Sequence, residues 1–153
     1  MPQDNLDHYY QQEDLVDLME QKIPFNAFLG IHVDFFSRGD IVLSLPIKPE
    51  FIGDPNRPAL HGGLLATLAD TAAGMAVFSV LPKTATTSTI DLRIDYLRPG
   101  NVDQTLYAKS TVVRHGSRVC VVQTTLYQES SEQAVAVSSA TYSIVQHKNL
   151  PIN

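Results

Sequence analysis

"LHGGLLATLADTAAGMAVFSVL", Leu60–Leu81, carries a single carboxylate, Asp70, in an otherwise apolar run. With histidine neutral, no other formal charge falls between Arg57 and Lys83. The run is long enough to approach a membrane span. Thr67, Asp70, Thr71, Gly74 and Ser79 interrupt it, however, and a central Asp costs about 2.5–3.5 kcal/mol on insertion scales. The expectation is therefore a helix apolar on most sides, embedded in protein, with no membrane partner.

Upstream, "EDLVDLMEQK" (Glu13–Lys22) puts Leu15, Leu18 and Met19 at i, i+3, i+4, which predicts a short amphipathic helix at about 12–23, stopped by Pro24. "FLGIHVDFFSRGDIVLSLPI" reads as two strands around a turn at Arg38-Gly39-Asp40. "FIGDPNRPAL", with Gly53, Pro55 and Pro58, reads as a loop into the long helix. Downstream, "TSTIDLRIDYLRP" alternates Ile90, Leu92, Ile94 and Tyr96 against Asp91, Arg93 and Asp95, the pattern of a half-buried strand. Three more strands follow, with tight turns at 115–117 and 130–132, which makes the four antiparallel. The fold class is α+β, one sheet against one long helix. A flat sheet covers only one side of so greasy a helix. Either the sheet curls around it or a second copy covers the rest, and both are expected.

The chain has 153 residues, 44% of them hydrophobic and 18% charged, so residues 1–153 are expected to form a single domain. A net charge of −5 argues against broad nucleic-acid binding, which needs a clustered basic face. The one cysteine, Cys120, forms no intrachain disulfide. "MPQDNLDHYYQQEDL" is polar and acidic without an apolar leader core, so a cytoplasmic location is the default.

Gly62 and Gly63 open the helix. N–H groups of a first turn lack intrahelical acceptors and carry the positive end of the macrodipole, so a ligand oxygen can come close there. The same two glycines also suit the turn out of the loop. Asp70 lies eight residues on, about 12 Å along the axis at 1.5 Å per residue. A reacting carbonyl needs its donor and its base each within about 3 Å. One chain therefore cannot bring Gly62 and Asp70 to one carbon, whereas two helices antiparallel across a two-fold axis can. Asp70 is either a reacting acid or a buried carboxylate satisfied by backbone N–H groups or a Thr hydroxyl. His61, at the loop–helix junction, contacts a ligand or is structural. Arg98, Arg114 and Arg118 lie near strand ends, where they can hold phosphates or face solvent. The five histidines and one cysteine show no metal-ligand spacing, so neither metal nor cofactor is expected.

"LHGGLLATLADTAAG", with "STIDLRIDYLRPG" and "VVRHGSRVCVVQ" after it, resembles the hotdog-fold acyl-CoA thioesterases, in particular the phenylacetate-pathway and thioesterase-superfamily-member-2-like branch. The likeness runs from about Phe28 to Val145. It implies a curled antiparallel sheet wrapped around the central helix, a homodimer with active sites between protomers, and a dimer of dimers. It implies hydrolysis of a medium-chain or aryl acyl-CoA to free acid and CoA. Asp70 is then the base or nucleophile, and the Gly62 N–H, with Gly63 beside it, polarises the thioester carbonyl. Thr89, or its neighbour Ser88, helps place water. Arg98, Arg114, His115 and Arg118, with His61, meet the CoA. The family often has Asn or Gln six residues before the His, where this chain has Pro55; Asn56 is the expected substitute, with Asp54 on the other side. Rival readings are a non-catalytic acyl-CoA binding protein and an acyl-thioester hydratase or dehydratase.

Overall fold

The computed structural model describes residues 8–147; the first seven residues of the polar N-terminal stretch lie outside the described residues. The long helix, α3, runs over Gly62–Val80. His61 caps it, its side chain accepting from the Gly63 N–H. Pro82 ends it, because a proline holds the residue before it, Leu81, extended. The helix passes a length-and-composition test for a bilayer span, yet Leu65, Leu68, Met75, Ala76 and Val77 are almost fully buried inside the protein. What stays half-open is one stripe: Ala66 and Thr67, Asp70 and Thr71, Gly74, Phe78. That four-residue spacing marks a single face.

Six antiparallel strands form one sheet: β1 (His32–Ser37), β2 (Asp40–Leu45), β5 (Ala85–Tyr96), β6 (Leu106–His115), β7 (Val119–Tyr127) and β8 (Ala136–Gln146), in the order β1-β2-β6-β7-β8-β5. α3 lies against β2, β6, β7, β8 and β5, so the sheet curls around it as expected. Alternate residues point at the helix: Ile41, Leu43 and Leu45 from β2, Cys120, Val122 and Leu126 from β7. The turn between β1 and β2 is where the sequence placed it, with Gly39 at φ +81, a conformation costly for residues with a Cβ.

Three local readings are corrected. The first helix, α1, spans Gln12–Asp17 and widens into a π-helical turn over Leu18–Lys22. Pro24 then opens a further helix, α2 (Pro24–Leu29), instead of ending one, and β1 starts only at His32. A proline at the first helical position loses no hydrogen bond, since that N–H has no intrahelical acceptor. Helices of six residues are not stable alone. Burial of Leu15, Met19 and Leu29 holds these two, at about 1.5–3 kcal/mol per side chain. Second, the Phe51–Leu60 loop contains a small hairpin, β3 (Ile52–Asp54) with β4 (Ala59–Leu60).

Third, β5 does not alternate uniformly. Its pairing with β8 shifts between Thr89 and Asp91, a bulge at Ile90. Leu92 and Ile94 pack on the core as read, but Ile90 is 59% exposed. The extra residue switches the parity of the strand. Upstream of it, Thr87 and Thr89 take the face toward the helix.

Candidate active site

A cavity of about 260 Å³ opens where α3 faces β5. Asp70, Gly74, Met75 and Phe78 of α3 form one wall, and Thr87, Ser88 and Thr89 of β5 with Tyr142 of β8 form the other. Met19 from the π-helical turn, Ile23 at the junction and Asn26 from α2 also line it. The surface these residues expose to the cavity is mostly apolar, and the carboxylate of Asp70 is its one formal charge.

Two hydroxyls hold that carboxylate. Thr89 donates to Asp70 Oδ1 at 2.9 Å. Tyr142 reaches the same Oδ1 at 2.7 Å and the Asp70 backbone carbonyl at 2.8 Å. Thr89 and Tyr142 are direct cross-strand partners, so their side chains leave the sheet on one face, side by side. Burial pushes the Tyr142 phenol well above its ordinary range, and the hydrogen bond and charge of Asp70 push it further. The lone carboxylate thus has the Thr hydroxyl that the structural reading offered, and a tyrosine besides. Ser88 lines the cavity next to them, its N–H donating to Ser143 Oγ at 3.2 Å.

At the N-terminus of α3, His61 Nδ1 accepts from the Gly63 N–H at 2.9 Å, and the His61 carbonyl accepts from the Leu64 N–H at 2.9 Å. The Gly62 N–H has no acceptor among the described residues. His61 is therefore a cap, and its engagement leaves one first-turn donor unpaired, that of Gly62. The Tyr96 hydroxyl donates to the Gly62 carbonyl at 3.0 Å. Gly62 thus sits near the end of β5, and Asp70 near Thr89 inside it. The helix and β5 run in opposite directions, and Gly62 lies outside the Asp70 cavity.

The other candidates are dispersed. Asn56 lies at the exposed tip of the β3–β4 hairpin, its N–H bonded to Asp54 Oδ1 at 2.9 Å. The Asp54 carboxylate also takes the Arg57 N–H and side chain. These N–H donors, Asn56 first, hold its carboxyl below the usual range. Neither residue reaches Asp70 within one chain. Arg114, His115 and Arg118 cluster at the β6–β7 turn, at one end of the sheet, while Arg98 follows β5 at the opposite end. Sequence reasoning grouped the three arginines, and a single chain does not. It also missed Tyr142. The signal was there: alternation along β8 puts Ala136, Ser138, Ala140, Tyr142 and Ile144 on the buried face, and Tyr142 is the one large polar side chain among them. Among the described residues no group of His, Cys, Asp and Glu is arranged to hold a metal ion.

The profile of the family described as "Thioesterase superfamily" matches residues 58–135. The medium/long-chain acyl-CoA thioesterase YigI of Escherichia coli is 33% identical over 135 residues, covering 80% of this chain and 86% of YigI. A Halobacterium salinarum protein assigned only provisionally as an esterase is 44% identical over 100 residues, 63% of this chain; this chain spans 65% of that protein. Among solved structures, the Haemophilus influenzae thioesterase HI1161 superposes with a TM-score of 0.78 at 25% identity, over 90% of this chain and 92% of that one.

Proposed function

The chain belongs to the thioesterase superfamily, a hotdog-fold family of thioester hydrolases, and from that premise we propose that it hydrolyses a medium-chain or aryl acyl-CoA at sites shared between two copies. The observation that carries this reading is the isolated carboxylate at the mouth of an apolar cavity, with an unpaired helix-start N–H about 12 Å away along the same helix. A cavity of about 260 Å³ suits an acyl group and not a whole CoA, since pockets for drug-sized ligands run to roughly 300–1,000 Å³. The acyl chain enters between Met19, Ile23, Met75 and Phe78, and the thioester stops at Asp70.

The outer edge of β5 carries no neighbouring strand among the described residues. Because α3 runs antiparallel to β5, two-fold pairing of two β5 edges carries the Gly62 of one copy toward the Asp70 of the other. The same pairing puts Arg98 of one copy at the sheet end that holds Arg114, His115 and Arg118 of the other, a basic rim for CoA phosphates.

In the reaction, Asp70 takes a proton from water, or attacks the carbonyl itself. Negative charge on the carbonyl oxygen is received by the Gly62 N–H of the partner, an effect of about 3 kcal/mol for one donor of this kind. On the base route, collapse of the intermediate expels the CoA thiolate, which takes up the proton held by Asp70, and acid and free thiol leave. On the nucleophile route, collapse expels the thiolate and leaves an Asp70–acyl anhydride. A water then opens the anhydride, giving the free acid, restoring the carboxylate and supplying the thiolate's proton. Thr89 and Ser88 stand where they can orient the water.

The test is thiol release from a panel of acyl-CoAs. Asp70→Asn is expected to lower kcat by about 10²–10⁴ with fold and subunit assembly retained, and near-normal turnover would remove the mechanism. Label in Asp70 after a single turnover in ¹⁸O-water identifies the nucleophilic route, since it arises only when water opens the anhydride at the Asp70 carbonyl. An acyl-CoA binding role instead predicts tight binding without thiol release. A hydratase predicts hydration of enoyl-CoA with the thioester intact.

A further inference from the structure

We propose that Tyr142 is a positioning residue for this reaction: together with Thr89 it saturates Oδ1 of Asp70, so that Oδ2 is the oxygen presented to water or thioester. The inference rests on the reading of Asp70 as the acting acid. It goes beyond that reading by selecting one oxygen and by naming a residue outside the matched family segment.

The geometry is specific. Both hydroxyl donors converge on Oδ1, at 2.7 and 2.9 Å, and among the described residues no donor reaches Oδ2. A carboxylate free to rotate exchanges its oxygens, whereas two charge-assisted hydrogen bonds to one oxygen oppose that rotation. The Tyr142 hydroxyl also meets the backbone carbonyl of Asp70 at 2.8 Å. Its single proton is shared between these two acceptors, which ties Tyr142 to the main chain and side chain of one residue. Tyr142 itself is 3% exposed, and its ring lies against Gly74, one helical turn beyond Asp70. A phenol this buried stays protonated at neutral pH, so it serves as a donor and not as a base. The Ile90 bulge completes the arrangement by turning Thr89 to the same face as Tyr142.

A purely structural account of the same contacts is that the hydroxyls offset the cost of half-burying a charge. The two accounts diverge in kinetics. Tyr142→Phe keeps the ring and removes the donor. If Tyr142 positions, kcat falls about 10- to 100-fold while KM stays within twofold, and the loss disappears in an Asp70→Asn background, because Tyr142 acts only through the carboxylate. Turnover of Tyr142→Phe within twofold of the parent, or an equal further loss in the Asp70→Asn background, overturns the inference. Full activity of Asp70→Asn alone overturns the earlier reading instead, so the two failures are distinguishable. Should Tyr142→Phe fold poorly, 3-fluorotyrosine at position 142 gives a second readout: its ¹⁹F resonance is expected to move on Asp70→Asn, and an unmoved resonance counts against the contact.

Discussion

Single hydroxyls carry much of the specificity in this chain. Ser79, fully buried near the end of α3, accepts from the Gly39 N–H at 2.8 Å and donates to the Ala76 carbonyl at 2.7 Å. It therefore ties the helix to the β1–β2 turn. Ser79→Ala strands the buried Gly39 N–H, and leaving such a donor unpaired costs about 1–3 kcal/mol. A urea melt of that variant should show the loss as a lower midpoint with an unchanged slope. An unchanged midpoint would mean that water replaces the hydroxyl. Asp70 was legible in the sequence because a charge alone in an apolar run is conspicuous. Its partners were less so. Resemblance implies Thr89, whereas Tyr142 lies 72 residues from Asp70 and only the β5–β8 register brings the two together.

The long helix and the four strands after it were readable from periodicity, since both patterns are strong over many residues. Where elements are short, packing decided. Residues 12–29 fold as α1, a π turn and α2 around buried Leu15, Met19 and Leu29, and the π turn brings Met19 to the cavity wall. β5 is the instructive case. Simple parity puts Thr89 with Asp91 and Arg93 on the solvent face; the bulge at Ile90 reverses this and makes Thr89 a partner of Asp70. On α3, Gly74 lies mid-helix, where glycine is roughly 1 kcal/mol less favourable than alanine. A Cβ there would sit 3.7 Å from the Tyr142 ring, ordinary contact. Gly74→Ala is thus expected to raise Tm by roughly 2–4 °C, measured calorimetrically. A lower Tm would show that the methyl group displaces Tyr142.

Assembly is where the proposed chemistry is completed. β5 is twelve residues long, its outer edge is unpaired among the described residues, and Ile90, Tyr96 and Leu97 on and just beyond it are more than half exposed. An exposed edge of this length is ordinarily paired or covered. Ile90→Asp places like charges near a two-fold axis at that edge. Sedimentation should show a shift toward monomer, with kcat/KM falling in parallel and recovering at higher protein concentration. A dimer that persists with normal activity would place the interface elsewhere. Arg98 is likewise separated from Arg114, His115 and Arg118 within one chain, so the proposed basic rim requires the proposed pairing.

By itself, the sequence determined the elements with strong periodicity, the lone acid on α3 and the glycines at its start, because burial patterns and charge isolation are local properties of the chain. The tertiary structure alone decided which hydroxyls reach that acid and that the Phe51–Leu60 loop closes into a hairpin. The first of these depends on strand register and on one bulged residue. Register is set by contacts between segments distant in sequence, which no local pattern encodes.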